Sequence, residues 1–408
     1  MSRPGKTARI ALLRAAVLAA ALLLTGRFLA RILVIYSLPV VYTHWRLSGW
    51  LAATRAKKVF SPLFIALAVA FPASEILAHA GGPGWLKIPL RVGYLTLPFL
   101  LYLFLAVLLL DLLLAANRLL KIVAPAKLEE RRWRLRRAGL AFLLAAAVVA
   151  AGVANFRILR VSAFRIAVPA GASPLKALRI VMAADFHLGD LTAPGFMAEF
   201  ADKVNALKPD LLLIPGDILE GDRADAATAG FERQFARIVT RYGAYASPGN
   251  HEAHGGGPGA GFYSRARICL LRDEALAIGG LFQLVGRSDP HGGGRLPLAR
   301  LLRGRSRSLP LIVLDHRPDD IAEASRCGAD IQVSGHSHHG QLFPLNIITT
   351  LQYPLSWGYR KIGATHFFVT SGVQIWGPRV RTAGVSEIML IDVDFVAGGR
   401  RAPGPVLQ

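Results

Sequence analysis

Three nearly uncharged apolar stretches, residues 59–77, 92–114 and 140–155, constrain what this chain can fold into more than any other feature. A bilayer's hydrocarbon core is about 30 Å thick and takes roughly 20 apolar helical residues to cross. Each stretch is near that length and is bounded by basic or turn residues. A further stretch at 10–43 is interrupted by Arg14, Arg27 and Arg31 and reads as one tilted span or as a hairpin of two. Residues 1–155 are therefore expected to form an α-helical membrane region of about four spans, or five. A cleaved signal peptide is the competing reading of residues 1–26, where Arg3, Lys6 and Arg9 precede AALLLTG, although the small-residue cleavage site is poor.

Charge supports a membrane region and gives it an orientation. The chain has 48 Lys and Arg against 26 Asp and Glu, a formal net charge of +22. Residues 1–155 hold 20 of those bases and only four acids (Glu75, Asp111, Glu129 and Glu130), which is +16 and leaves +6 for the remaining 253 residues. A nucleic-acid binder gathers its basicity on a folded face, whereas here it falls between apolar runs, so nucleic acid is excluded as a partner. Arg118, Lys121, Lys127, Arg131, Arg132, Arg134, Arg136 and Arg137 crowd one short connection, which should stay in the cytoplasm. The loop 78–91, with Lys87 and Arg91, and the loop 46–58, with Arg46, Arg55, Lys57 and Lys58, alternate as that orientation requires. Everything after about Phe156 is then expected on the outer face of the cytoplasmic membrane. Asp111 lies near the cytoplasmic end of its stretch and is expected to be paired or solvated. With Glu75 it is nearly all the polarity a transport path would have, so a transporter is disfavoured.

After Arg160 the texture changes to short apolar runs broken by Gly, Pro and Asp, with helical patterns at 194–207 and 319–327. Residues 156–396 thus read as a layered α/β domain, and 397–408 as a disordered tail. Cys269 and Cys327 are too few for a disulfide framework or a thiolate metal site. Five apolar runs end in metal-type residues: LRIVMAADFH at Asp185 and His187, DLLLIPGD at Asp217, GAYASPGNH at Asn250 and His251, LPLIVLDH at His316, and ADIQVSGHSH at His336 and His338. A lone Asp-x-His or Gly-Asp is usually a turn or a cap. Five in order, each at a strand's carboxyl end, converge on one crevice.

That order resembles the calcineurin-like metallophosphoesterase superfamily, with its Asp-x-His, Gly-Asp-x-x-Asp, Gly-Asn-His-Asp/Glu, His and Gly-His-x-His pattern. The matching segments lie within 176–394: DFHLG at 185–189, PGDILEGD at 215–222, PGNHE at 248–252, LDHRPD at 314–319 and GHSHHGQ at 335–341. GHSHHGQLFP, LLRDEAL and SGVQIWGPRVR look like the membrane-anchored subgroup with YkuE- and YaeI-type proteins and transmembrane phosphoesterases. The resemblance implies two mixed β-sheets flanked by helices. It assigns Asp185, His187, Asp217 and His338 to one divalent metal and Asp217, Asn250, His316 and His336 to a second, with Asp217 bridging. Oxygen and nitrogen ligands suit Mn, Fe, Zn or Co. A centre of this kind hydrolyses a phosphoester or phosphoanhydride with a metal-bridging hydroxide, and His251 is the implied general acid.

The family's Asp three residues after the bridging Asp is replaced here by Glu220, with Asp222 two further on, so the partner orienting His251 is expected to be Glu220 with reduced precision. His339 replaces a Gly common in the subgroup and is expected to line the site. His254 reads as a solvated loop residue. An alternative reading is a membrane sensor or scaffold that uses the fold only to bind. Anchoring raises the local concentration of lipid-linked phosphates, and Trp357, Tyr359 and Trp376 would either rest on lipid or pack within the domain.

Overall fold

The computed structural model describes residues 28–52, 56–80, 87–189, 191–220, 229–254, 260–306 and 308–398. The chain divides into two compact units, Met1–Ala150 and Ala151–Gln408.

The first unit is helical: Phe28–Trp50, Ala56–Ala80, Lys87–Leu120, the short Pro125–Glu129, and most of Arg131–Arg157. Among the described residues three helices, at Ala56–Ser74, Pro89–Leu120 and Arg131–Arg157, are long and apolar enough to cross a membrane. Along their apolar stretches the outward side chains are apolar, with Leu63 and Leu143 about two-thirds exposed at 64% and 66%, as suits contact with lipid tails. Whether 10–43 makes one span or two, and whether 1–26 is a signal peptide, turn on residues outside those described. Asp111 is paired: Arg46 engages its carboxylate with two guanidinium nitrogens and the Tyr42 hydroxyl donates to it at 2.6 Å. The Arg46 cation also lies 5.3 Å from the ring centre of Trp45 and 5.5 Å from that of Trp50. A carboxylate in an apolar run demands such partners, because desolvating it alone costs several kcal/mol.

The second unit is built on two six-stranded mixed sheets. The first has the order β1 (Leu159–Pro169), β12 (Ser386–Val396), β2 (Ala177–Met182), β3 (Leu211–Pro215), β4 (Ala244–Ser247), β5 (Ile268–Leu270), parallel except where β12 meets β2. The second has the order β10 (Gly358–Ile362), β11 (Thr365–Val369), β9 (Ile331–Ser334), β8 (Leu311–Leu314), β7 (Phe282–Gly286), β6 (Glu274–Ile278), antiparallel only at its two outer pairs.

The two-residue period of a strand sorts the side chains. Ile180 and Met182 of β2, Leu211 and Leu213 of β3, Ile312 and Leu314 of β8 and Ile331 and Val333 of β9 fill one core between the sheets. The alternate residues Val181, Leu212 and Ile214 turn outward onto Met197, Phe200 and Val204 of the helix Phe196–Ala206. Val313 and Phe367 do the same beneath Ile321 and Ala324 of the helix Ile321–Arg326. Both helices lie where the apolar periodicity at 194–207 and 319–327 puts them. Each buried Leu, Ile or Phe contributes about 1.5–3 kcal/mol, so the packed sheets can hold their loops under strain. The result is the expected α/β architecture of two mixed sheets flanked by helices. Only Ala397 and Gly398 of the expected tail lie among the described residues.

Candidate metal centre

Each candidate motif starts where a parallel strand ends: Asp185 and His187 after β2, Asp217 after β3, Asn250 and His251 after β4, His316 after β8, and His336 and His338 after β9. Parallel strands of one sheet end together, and the two sheets bring both sets of ends to one crevice. The chain must turn sharply there. Asp185, His187, Asp217, His336 and His338 all have left-handed φ, between 43° and 71°, at a cost of order 1–3 kcal/mol each. Two glycines admit the close approach. A Cβ on Gly249 would lie 2.1 Å from an Asp217 oxygen, and one on Gly335 would lie 2.5 Å from Asp185 Oδ2.

All seven expected ligands converge. Asp185, His187 and His338 form one cluster and Asp217, His316 and His336 another, with the candidate ligand atoms of each within 4.8 Å of one another. Asp217 Oδ2 lies between them, 3.2 Å from His316 Nε2 and 3.8 Å from His187 Nε2. Asn250 Oδ1 completes the second cluster, 3.1 Å from His316 Nε2 and 2.7 Å from His336 Nδ1. His316 Nδ1 donates to the Pro215 carbonyl at 2.8 Å, and His187 Nδ1 to Glu220 Oε2 at 2.7 Å, so both rings turn Nε2 inward. Such second bonds fix the tautomer of a metal-ligating histidine. Asp185, His187, Asp217 and His316 are buried, while Asn250, His251, His336 and His338 are partly open.

The electrostatics divide the donors by their neighbours. Burial favours the neutral acid and, with the Asp217 charge, lifts Asp185 to about 6. Burial opposes a charge on His316, yet Asp217 and Asp185 overcome it and raise the ring to about 10. Burial and the charge on His316 push His336 down to about 2, which leaves its lone pair available. His338 is pushed well below its usual range, first by burial, and its buried Nδ1 has no hydrogen-bond partner. Two carboxylates facing four imidazoles and an amide oxygen form a donor set that fits divalent cations, and a cation bound at His316 Nε2 would take the place of the proton that Asp217 and Asp185 hold on that ring.

Residues 178–340 match the calcineurin-like phosphoesterase family. That matched segment is a calcineurin-like metallophosphoesterase domain. It is 31% identical over 220 residues to an uncharacterized metallophosphoesterase of Helicobacter pylori, covering 52% of this chain and 59% of that protein. It is 29% identical over 231 residues to a transmembrane protein with metallophosphoesterase domain of Danio rerio, covering 52% of each. With the uncharacterized metallophosphoesterase YkuE of Bacillus subtilis it shares 27% over 212 residues, covering 48% of this chain and 71% of YkuE. The chain thus spans 59% and 52% of the length of the first two relatives.

Beside its metal-type residues, this metallophosphoesterase domain places Glu220 between two rings, at 2.7 Å from His187 Nδ1 and 3.2 Å from His251 Nδ1. The longer Glu side chain therefore reaches the histidine that the family's Asp would orient. His339 sits outside both clusters, bonded to Ser356 Oγ at 3.1 Å and leaning on Trp357. The side chain of His254, and Asp222, lie outside the described residues. Trp357 donates to Glu387 at 2.7 Å and Tyr359 meets His366 at 2.9 Å, so both are engaged within the domain, while Trp376 is 41% exposed.

Two supporting residues escape a motif reading. Glu252, the last letter of PGNHE, accepts from the backbone N–H groups of Asp217, Ile218, Leu219 and Gly249 at 2.6–3.2 Å. It ties two ligand loops together, and only a glutamate directly after Gly-Asn-His hints at it. Arg381 is fully buried and donates to the carbonyls of Ser371, Gly372 and Gln374 at 2.6–3.3 Å. Gln374 N in turn donates to the Asp185 carbonyl at 3.1 Å, so this arginine braces the loop behind a candidate ligand.

Proposed function

We propose that this protein is a membrane-integrated, two-metal phosphoesterase in which residues 1–155 anchor a catalytic domain at 156–396. The observation that carries this reading is the pair of largely enclosed acceptor clusters meeting at Asp217. Asp185, His187, Asp217 and His338 would hold one divalent ion and Asp217, Asn250, His316 and His336 the other. When bound, two such ions supply Lewis acidity toward the phosphoryl oxygens and an activated water. The remaining chemistry belongs to the chain. Two carboxylates against two dications leave the crevice positive, which draws in a phosphorylated substrate. His251, partly open to solvent, has Nδ1 fixed by Glu220 and its other nitrogen free to give a proton to the leaving oxygen.

Asp217→Asn tests the centre. Elemental analysis of the full chain should find about two transition-metal ions in the parent protein. The variant should lose both metal and phosphoesterase activity, and more activity than any single His→Ala change, because both clusters share this carboxylate. A metal-free parent with full activity would overturn the proposal, and a metal-loaded parent inactive on a broad phosphoester panel would leave only a binding role.

A further inference from the structure

The helix Leu345–Gln352 is amphipathic in the reverse of the usual sense. Its apolar side chains face outward, with Leu345, Ile347, Ile348 and Leu351 exposed by 40, 51, 59 and 84%, and none of its residues is buried. Its more enclosed side chains are the polar Asn346, whose Oδ1 is buried, and Thr349, which bonds back to the Asn346 carbonyl, while Thr350 and Gln352 are exposed with the apolar residues. A helix facing water turns its apolar stripe inward, and a contiguous apolar patch left outside marks an interaction surface.

Two connections indicate what covers this patch. Toward the site, the helix starts four residues after GHSHHGQ and packs so tightly on that loop that a Cβ at Gly340 would lie 2.4 Å from Asn346 N. Tyr353, at its end, stands with its ring edge-on to His336, 6.0 Å between centroids. In the other direction, Phe343 N donates to Thr382 Oγ1 at 2.9 Å. The segment around Thr382 is bonded to the carboxyl end of the third candidate span, through Arg381 N to the Gly152 carbonyl at 3.0 Å and Asn155 Nδ2 to the Arg381 carbonyl at 2.9 Å. A Cβ at Gly152 would lie 2.9 Å from Thr382 Cγ2, so the contact is close. The helix is therefore linked, through Phe343 and Thr382, to the segment bonded to the last residues of an apolar helix of spanning length. Arg360, exposed and bonded to the Pro354 carbonyl just past the helix, sets a cation at the patch's edge, suited to anionic headgroups.

We propose that the helix Leu345–Gln352 lies on the bilayer surface and holds the loop 335–341 against it, so that the substrate is an amphiphilic phosphoester whose headgroup stands at the lipid–water interface. The substrate half rests on the two-metal phosphoesterase reading. The docking half does not.

The test uses the full chain in vesicles of equal parts phosphatidylcholine and phosphatidylglycerol. An environment-sensitive fluorophore is placed at Leu351→Cys in a Cys269→Ser, Cys327→Ser background. Brominated acyl chains should quench it and aqueous iodide should not. Quenching by iodide alone would overturn the docking. Shielding from iodide without bromine quenching would overturn it too, because a second copy of the chain would then be the occupant. In parallel, Ile348→Asn with Leu351→Asn should leave turnover of a water-soluble nitrophenyl ester unchanged and lower turnover of a vesicle-borne phospholipid ester about tenfold, since the surface concentration advantage is lost. Equal rates of variant and parent on the vesicle-borne ester would overturn the substrate assignment. Fluorescence quenching needs no turnover, so a parent inactive on both esters would count against the phosphoesterase reading while bromine quenching still upheld the docking.

Discussion

Glu220 decides the protonation of the residue assigned as acid. Burial alone would raise its own carboxyl, but bonds from His187 and His251 win and hold it down to about 2. Burial likewise opposes a proton on His251, yet the Glu220 bond and the Asp217 charge lift it to about 9. A general acid works in its protonated form, so under the proposed mechanism activity should be present below that value and be lost as pH rises through it. Glu220→Gln removes the charge that stabilises the imidazolium, and the alkaline limb of the kcat profile should move to lower pH. An unmoved limb would assign that titration to another group. His251→Ala should retain its metal and lose roughly 10² to 10⁴ in turnover on an alkyl ester. The loss should shrink on a nitrophenyl ester, whose leaving group departs without a proton. Equal losses on the two esters, or loss of metal, would make His251 a ligand or a structural group.

The strand-to-loop corners carry the precision of the site. Five candidate ligands take left-handed φ, which their side chains disfavour, and the Asp217 corner is held by Glu252, which gathers four backbone donors from that loop and the Gly249 loop. Gly249 is the tightest of these points. In Gly249→Ala the new methyl carbon, 2.1 Å from the Asp217 carboxylate, must displace it, so bound metal and turnover should both collapse. Gly230→Ala, in the helix Ala229–Ala236 with no atom of the described residues beyond its own helix within 4 Å of the new carbon, should leave both unchanged and keep or raise the melting temperature. Elemental analysis with a circular-dichroism melt separates the outcomes, and a fully metallated Gly249→Ala protein would show that the corner tolerates movement.

For the whole molecule, the placing of charge sets an orientation. The cationic connection around 118–137 should be retained in the cytoplasm, which sends the domain after the next span to the outer face. Alkaline phosphatase fused after Gln408 should be active, and a fluorescent protein that matures only in the cytoplasm should stay dark at the same point. The reverse pattern would invert the topology. Within the first unit, the bond of Arg46 and Tyr42 to Asp111 gives that carboxylate a structural role, in keeping with an anchor more than a transport path.

Run length and motif order are local properties, and for that reason apolar helices of spanning length, the α/β texture and the metal-type residues at five strand ends are legible along the chain, while the choice of seven of them as ligands follows from the family resemblance. Strand ends announce themselves by an apolar run stopping at a polar turn, and the two-residue period decides which face each side chain takes. What only the tertiary structure decided depends on residues far apart meeting. Glu220 reaches His187 across 33 positions and His316 leans on the Pro215 carbonyl across 101. Asn155 is bonded to Arg381 across 226. The outward face of Leu345–Gln352 is of the same kind, since LNIITTLQ has an ordinary amphipathic pattern and only packing shows that its apolar residues are exposed while Asn346 is the side chain enclosed.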